Sequence, residues 1–465
     1  MKKVLTSWII SLLITTAVHA EVMGGYTFII LTNNTKTNLN LKIHLTTKDI
    51  FFKKGRDWDG NTLTLAPYES KQVLWFSRNI NVKANQLYEF DIAIQQPWNQ
   101  PFVFSITEKG KAIYGSDLYS ELTLPLQNKQ KILTNHHFQL FTADFFGKTY
   151  QLYARLWTPT GKLFDNYHFT ISEAEISASH LDTPQKLHVL TYNTQFMPFY
   201  ANVVNNLNHP TIRAQDIPKK ISTYDVVILE EVFDQDLRIT LTNLMRMYYP
   251  YHTKVVGYRT TKALSGGVMI FSKWPILKED QVVYQASADI DRLAAKGAIY
   301  AAINKMGILY HVFGTHLQSA NANGGEDARE KQLQELAYFI ESLNISHHQA
   351  VVIGGDFNID PLKPQFYFLQ QALHVGLPEN IGYPYSADSY INTMKVGYSR
   401  NRIDYVFYSH LHLKPKLTYN KIFILRDLDN EKMWPAFDLS DHFPVAGFFE
   451  FDRVGGDSIK NSNSR

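Results

Sequence analysis

The chain has 465 residues, of which 45% are hydrophobic, 14% aromatic and 19% charged, with 24 Gly and 18 Pro. At roughly 150 residues per domain this excludes a single small module, a disordered chain and a collagen-like one, and predicts two or three globular domains. The formal charge of +3, from 46 basic and 43 acidic residues, lacks the basic excess of a protein that holds nucleic acid through its phosphates, and the absence of cysteine excludes a disulfide framework, a thiolate zinc site and a cysteine nucleophile.

The chain opens on Met1-Lys2-Lys3, an apolar run from Val4 to Val18 broken only by Thr and Ser, and Val18-His19-Ala20. A basic start, an apolar stretch too short to span a bilayer and a small residue before the cut predict a secretory signal peptide over 1–20. Its removal takes Lys2 and Lys3 and leaves a balance of about +1. No other window approaches the ~18 consecutive apolar residues of a membrane-spanning helix.

Over 26–179 apolar and polar residues alternate. Leu39, Leu41, Ile43 and Leu45 share one side of a period of two, with Asn40, Lys42 and His44 between them, as in a half-buried strand. Further strands are predicted at 26–31, 72–76, 87–94, 102–106 and 150–157, which gives an antiparallel β-sandwich over 21–180. The stretch 172–185, acidic and small with Pro184, reads as a linker. From Lys186 the pattern changes to strands (187–192, 225–229, 267–272, 308–314, 350–353) interleaved with helices at 237–247 and 327–343. In the second helix Leu333, Leu336, Ala337 and Ile340 follow the i, i+3, i+4, i+7 rule. An α/β layered domain over 186–453 follows, with a small, polar, disordered tail over 454–465.

Strand ends in this second domain finish on polar residues. They are Asn193, Glu230-Glu231, Gly314-Thr315-His316 and Gly354-Gly355-Asp356-Phe357-Asn358; Asp404 sits inside an apolar strand, and Ser440-Asp441-His442-Phe443-Pro444 completes the set. Singly each has an ordinary structural reading. Together they are what metal-assisted phosphodiester hydrolysis needs. A hard cation such as Mg²⁺ takes carboxylate and amide oxygens, which Glu231, Asn193 and Asp441 supply. His442 is the general base, held in its tautomer by Asp404. His316 and Asn358 offer donors to the developing charge, and Asp356 orients the attacking water.

The series Thr191-Tyr192-Asn193, 225–234, 354–358 and 440–444 resembles the DNase I-like endonuclease/exonuclease/phosphatase superfamily. Glu231-Val232-Phe233-Asp234, 266–276 and 314–319 resemble its secreted bacterial neutral sphingomyelinases of the β-haemolysin type. The match runs in order over 186–451. The resemblance implies an α+β architecture, with a four-layer αββα sandwich as catalytic domain behind the all-β sandwich-like one. It implies Glu231 as central Mg²⁺ ligand, with Asn193, Asp356, Asn358, Asp441 and His442 around the ion and phosphate, and Mn²⁺ or Co²⁺ as replacements. The position before Glu231, commonly Gln or Asn in the superfamily, is Glu230 here, an extra carboxylate expected either to tighten cation binding or to repel an anionic substrate. The aromatic hairpin by which secreted members enter membranes is reduced to 431–437, with Trp434 and Phe437.

The expectation is therefore a secreted, monomeric sphingomyelin phosphodiesterase, extracellular or periplasmic in transit, that touches the membrane lipid peripherally and has no nucleic-acid partner. A secreted endonuclease of the same fold is the first alternative. Against it, 186–465 carry a net charge of about zero. A lipid-binding or pore-forming protein with a degenerate enzyme domain is the second. Tyr383, Tyr385, Tyr390 and Phe233 are candidates for a choline-binding aromatic cage. Phe51, Phe52, Trp58, Trp75, Phe76 and Trp98 are read as core, with a lipid-facing belt as the alternative.

Overall fold

A computed structural model describes residues 26–452, save 47–52, 78–82, 97–98, 111–117, 124–129, 134–137, 158–165, 174–182, 199–208, 434–437 and the single positions 36, 68, 84, 320, 322, 390, 393, 396, 398, 428 and 429. The chain divides into two compact units, one within the first 176 residues and one of residues 177–433 and 437–465.

In the first unit the alternation read from sequence appears as burial: strand Leu39–Leu45 buries every second side chain. Among the described residues twelve strands form two six-stranded sheets. Ile29, Leu31, Phe76, Leu152 and Phe169 of one sheet share a core with Leu41, Ile43, Phe90, Ile92 and Ile94 of the other. One pair departs from the all-antiparallel expectation. Strand Tyr26–Asn34 lies parallel to Asn166–Glu173, so the first and last strands of the unit are neighbours. Trp58 and Phe76 are core residues and Trp75 is half-buried; Phe51, Phe52 and Trp98 lie outside the described residues. The expected linker is shorter than 172–185. Ser172 and Glu173 still belong to a strand, while the carbonyls of Pro184 and Gln185 accept hydrogen bonds from Tyr310 Oη (2.7 Å) and the Phe451 amide (3.0 Å).

The second unit is the four-layer αββα sandwich. One sheet runs Tyr251–His252, Met269–Ser272, Val226–Val232, Lys186–Phe196, Val445–Glu450, Leu417–Ile422. The other runs Ile276–Val283, Gly297–Lys305, Ile308–His316, Ala350–Asp356, Asp404–Ser409, Val375–Gly376. The central strands Val226–Val232 and Ala350–Asp356 are buried along nearly their whole length, because the facing sheet covers one side and helices the other. The two sheets approach closely over Gly314 and Gly354. A Cβ there would come within 2.6 and 2.7 Å of Ile228 in the opposite sheet.

Helices Gly325–Ser342 and Pro364–Leu373 bury Leu333, Leu336, Phe339, Leu369 and Leu373 against Phe313, Val351, Ile353 and Phe407. Helix Gln235–Met245 starts where Asp234 caps the amides of Asp236 and Leu237, and it turns Leu237, Leu241 and Met245 inward. It ends two residues before the predicted limit, and Met247 is exposed. Among the described residues no helix is long and apolar enough to cross a membrane.

Candidate active site

Strand register assembles the site. In the second sheet His316 pairs with Asp356 and Asp356 with Asp404, which places the three in one row across adjacent strands. Asp404 opens its strand instead of lying inside it. From the first sheet Asn193 donates its side-chain amide to Asp356 Oδ2 at 3.0 Å.

Next to Asn193, strand Val226–Val232 carries Glu231 at φ 55. A left-handed glutamate is uncommon in a strand and breaks the alternation of faces. The two successive glutamates consequently have different surroundings. Glu231 is partly exposed, 3.9 Å from His316 Nε2. Glu230 is fully buried and accepts from Thr191 Oγ1 at 2.5 Å. Burial, reinforced by Asp404 and Asp356, pushes the Glu230 carboxyl well above the usual carboxylate range. The burial that raises the Glu230 carboxyl works against a second negative charge beside Glu231.

The Asp441-His442 loop is fixed from three sides. Ser440 Oγ donates to the Asn193 carbonyl (2.6 Å), Asn392 Nδ2 to the Ser440 carbonyl (2.9 Å), and the buried Arg213 to the carbonyls of Thr194, Gln195 and Leu439 (2.7, 3.1 and 3.0 Å). His442 Nδ1 is 2.9 Å from Asp404 Oδ2, and its Nε2 is 4.0 Å from Asp441 Oδ2. Asp356, Asp404 and His442 each offer an atom within 4.8 Å of the others. Asp356 Oδ1 accepts the Asn358 amide at 2.9 Å in an Asx turn, and Asn358 Nδ2 points to the Leu317 carbonyl at 3.3 Å. All eight residues singled out from sequence thus lie in one place.

Burial, with the Asp441 charge, pushes Glu231 up to about 7. Burial, with Asp404, pushes Asp356 up to about 6. Burial also works against ionisation of Asp441, yet Lys395 and His442 hold its carboxyl below the usual range. For His442 burial disfavours the cation, but Asp404 and Asp441 outweigh burial and the Lys395 charge and lift the imidazole to about 10. Burial and Lys296 hold His316 well below its usual value, so it is neutral.

Glu231 and Asp356 are driven up in spite of the Lys296 charge nearby, so their negative charge is only partly compensated. Glu231, Asp356 and Asp441 with the Asn193 amide form an all-oxygen donor set suited to a hard divalent cation.

Several residues at the site carried no signal in the sequence. Lys296 is buried and donates to His316 Nε2 at 2.9 Å and to the Leu317 carbonyl at 2.7 Å. Lys395 Nζ is 3.1 Å from Asp441 Oδ2. The only available hint was a lone lysine in the small-residue run Leu293-Ala294-Ala295-Lys296-Gly297-Ala298 before an apolar strand.

The aromatic-cage candidates divide. Phe233 stands by the site, its ring centroid 6.4 Å from that of His316. Tyr383 is a buried core residue whose hydroxyl donates to Asp388, and Tyr385 lies under the Arg400 guanidinium at 4.5 Å; both are committed to packing. Tyr390, Trp434 and Phe437 lie outside the described residues.

The sequence profile of the Endonuclease/Exonuclease/phosphatase family matches residues 190–442. A Listeria ivanovii protein named sphingomyelinase C is 32% identical over 250 residues, which cover 48% of this chain and 75% of that protein. The chain belongs to this family, on its bacterial sphingomyelinase C branch. Sphingomyelinase C 2 of Leptospira interrogans is 32% identical over 294 residues, covering 57% of this chain and 46% of that protein. The chain spans about half the length of the Leptospira relatives it matches (46% and 54%). Among solved structures, a beta toxin mutant from Staphylococcus aureus with bound magnesium ions superposes with a TM-score of 0.53 at 28% identity, covering 57% of this chain and 100% of that one. The β-rich first unit lies outside the family match.

Proposed function

We propose that the chain is a secreted, Mg²⁺-dependent phosphodiesterase that hydrolyses sphingomyelin to ceramide and phosphocholine. One arrangement carries this reading. His442 is bound through Nδ1 to Asp404 (2.9 Å), with Asp356 Oδ2 4.0 Å from the same nitrogen and Asp441 Oδ2 4.0 Å from Nε2, while Glu231 stands 3.9 Å from His316 Nε2 in the same acidic cluster. The sphingomyelinase C relatives support the choice of substrate over nucleic acid.

Glu231, Asn193, Asp356 and Asp441 would hold the ion, with Asn358 beside them; bound there, Mg²⁺ supplies Lewis-acid stabilisation of a phosphoryl oxygen, and Mn²⁺ or Co²⁺ replaces it. The rest is done by side chains. His442 Nε2 accepts the proton of the attacking water, and Asp404 holds the Nδ1 proton and stabilises the imidazolium. Asp356 orients the water. His316 accepts from Lys296 at Nε2, so in this tautomer it positions that ammonium, which becomes the donor to the developing negative charge on its side of the site.

On the same reading residues 1–20 are the export signal, 21–180 an accessory domain and 186–453 the catalytic domain of a monomer that meets its lipid peripherally. The test is release of phosphocholine from sphingomyelin, beside phosphatidylcholine and plasmid DNA, with Mg²⁺ and with EDTA. We expect Mg²⁺-dependent release from sphingomyelin. Activity confined to DNA would overturn the assignment.

A further inference from the structure

Lys395 lies in sequence between the short paired strands Ala387–Asp388 and Arg400–Asn401. Its ammonium is 3.1 Å from Asp441 Oδ2 and 3.4 Å from His442 Nε2, and its side chain is only 20% exposed. Lysine ordinarily keeps its charge in water; here the charge is turned into the site. It is also held there by the backbone. Asn392 Oδ1 accepts the amides of Met394 (2.9 Å) and Lys395 (3.2 Å), while Asn392 Nδ2 donates to the Ser440 carbonyl (2.9 Å). One buried amide thus ties the lysine's loop to the loop that carries Asp441 and His442.

Phosphodiester hydrolysis commonly uses two divalent ions about 4 Å apart to share the charge of the reacting phosphoryl group. A second ion needs anionic ligands of its own, and on this side of the site Lys395 already engages Asp441 Oδ2, which leaves only Oδ1 for the single ion that Asp441 helps to hold. We propose that Lys395 is a catalytic residue that takes the place of a second metal ion: its ammonium, held on Asp441 beside His442, hydrogen-bonds a non-bridging oxygen of the phosphodiester, and the centre works with one Mg²⁺ per chain. The inference rests on the phosphodiesterase reading above. Lys395 remains protonated and forms no covalent bond, and the proton of the attacking water goes to His442. At 3.4 Å the contact with Nε2 is long for a hydrogen bond.

The test is calorimetric titration of the full chain with Mg²⁺, for wild type and Lys395→Met, paired with sphingomyelin hydrolysis at saturating Mg²⁺. We expect one Mg²⁺ per wild-type chain. In Lys395→Met we expect Mg²⁺ to bind about tenfold more tightly, because Asp441 has lost a competing cation, while kcat falls about a hundredfold with KM little changed. Lys395→Arg, which keeps the charge, should retain about a tenth of the wild-type rate. Two Mg²⁺ ions per wild-type chain, unchanged or weaker Mg²⁺ binding in Lys395→Met, or a wild-type kcat in that variant would each overturn the proposal. The titration needs no substrate. A wild-type chain inert toward sphingomyelin would overturn the proposed function, while the Mg²⁺ stoichiometry would still decide the role of Lys395.

Discussion

Asn193 donates its side-chain amide to the Asp356 carboxylate at 3.0 Å, joining two strands of different sheets that are 163 positions apart in sequence. This bond pins the facing sheets together at the edge that carries the candidate site. It also sets the orientation of Asp356, and the Asn193 side-chain oxygen, which accepts the Gln195 amide at 3.1 Å, keeps its second lone pair for a cation. Replacing it should therefore act on metal and turnover more than on the fold. We expect Asn193→Ala to weaken Mg²⁺ binding by about ten- to a hundredfold, measured by calorimetry, with a melting temperature within a few degrees of wild type.

The Asp404–His442 pair makes a sharper prediction. Asp404 is 1% exposed and accepts from His442 Nδ1, so Asp404→Asn preserves shape but permits the other tautomer, with the proton on Nε2 where the base must be free. We expect kcat to fall by about 10²–10⁴-fold with KM nearly unchanged. A fall confined to KM would mean that the pair binds substrate instead of activating water.

The metal-free site makes stability depend on pH in a direction fixed by its proton affinities. Glu231 and Asp356 are raised to about 7 and about 6 from 4.5 and 3.8, and His442 to about 10 from 6.5. All three hold protons more tightly folded than unfolded. The carboxyl contribution is complete at low pH and lost by about pH 7; that of His442 is complete below about pH 6.5 and lost through about pH 10. His316, held well below its usual value, acts the other way but only below about pH 6.5, so calorimetric melting of EDTA-treated protein should show stability falling from about pH 7 to about pH 10. Added Mg²⁺ should raise the melting temperature more at the alkaline end, because ligands must be deprotonated to bind. A metal-free melting temperature that climbs between about pH 7 and about pH 10 would contradict these environments.

Arg213 tests the scaffold apart from the chemistry. It is fully buried and satisfies three carbonyls on the two segments flanking the site. Arg213→Met should destabilise the fold by about 3 kcal/mol through stranded carbonyl groups. Denaturant unfolding measures this, and a variant as stable as wild type would show that the carbonyls find other partners.

What the sequence disclosed and what it hid follow from the physics of each signal. Strands such as Leu39–Leu45 and the helix Gly325–Ser342 were legible because burial imposes a period on the residues themselves. The site was legible because Asp441-His442, Asp356-Phe357-Asn358 and Glu231 are short motifs at strand ends. Lys296, Lys395 and Arg213 were not, since an isolated basic residue has no period and its partner is chosen by the tertiary fold. Glu230 and Glu231 read as two equivalent carboxylates. Only the left-handed backbone at Glu231 gives them different surroundings and leaves Glu230 buried on Thr191.

The central claim is that His442 activates water for phosphodiester cleavage beside a bound divalent cation. Its most direct test is the rate of phosphocholine release from sphingomyelin vesicles by wild type and by His442→Ala, each in Mg²⁺ and in EDTA. We expect turnover only for wild type in Mg²⁺, with His442→Ala reduced by about 10³-fold or more while melting as a folded protein and still binding Mg²⁺. Wild-type release by His442→Ala, or release that persists in EDTA, would contradict it.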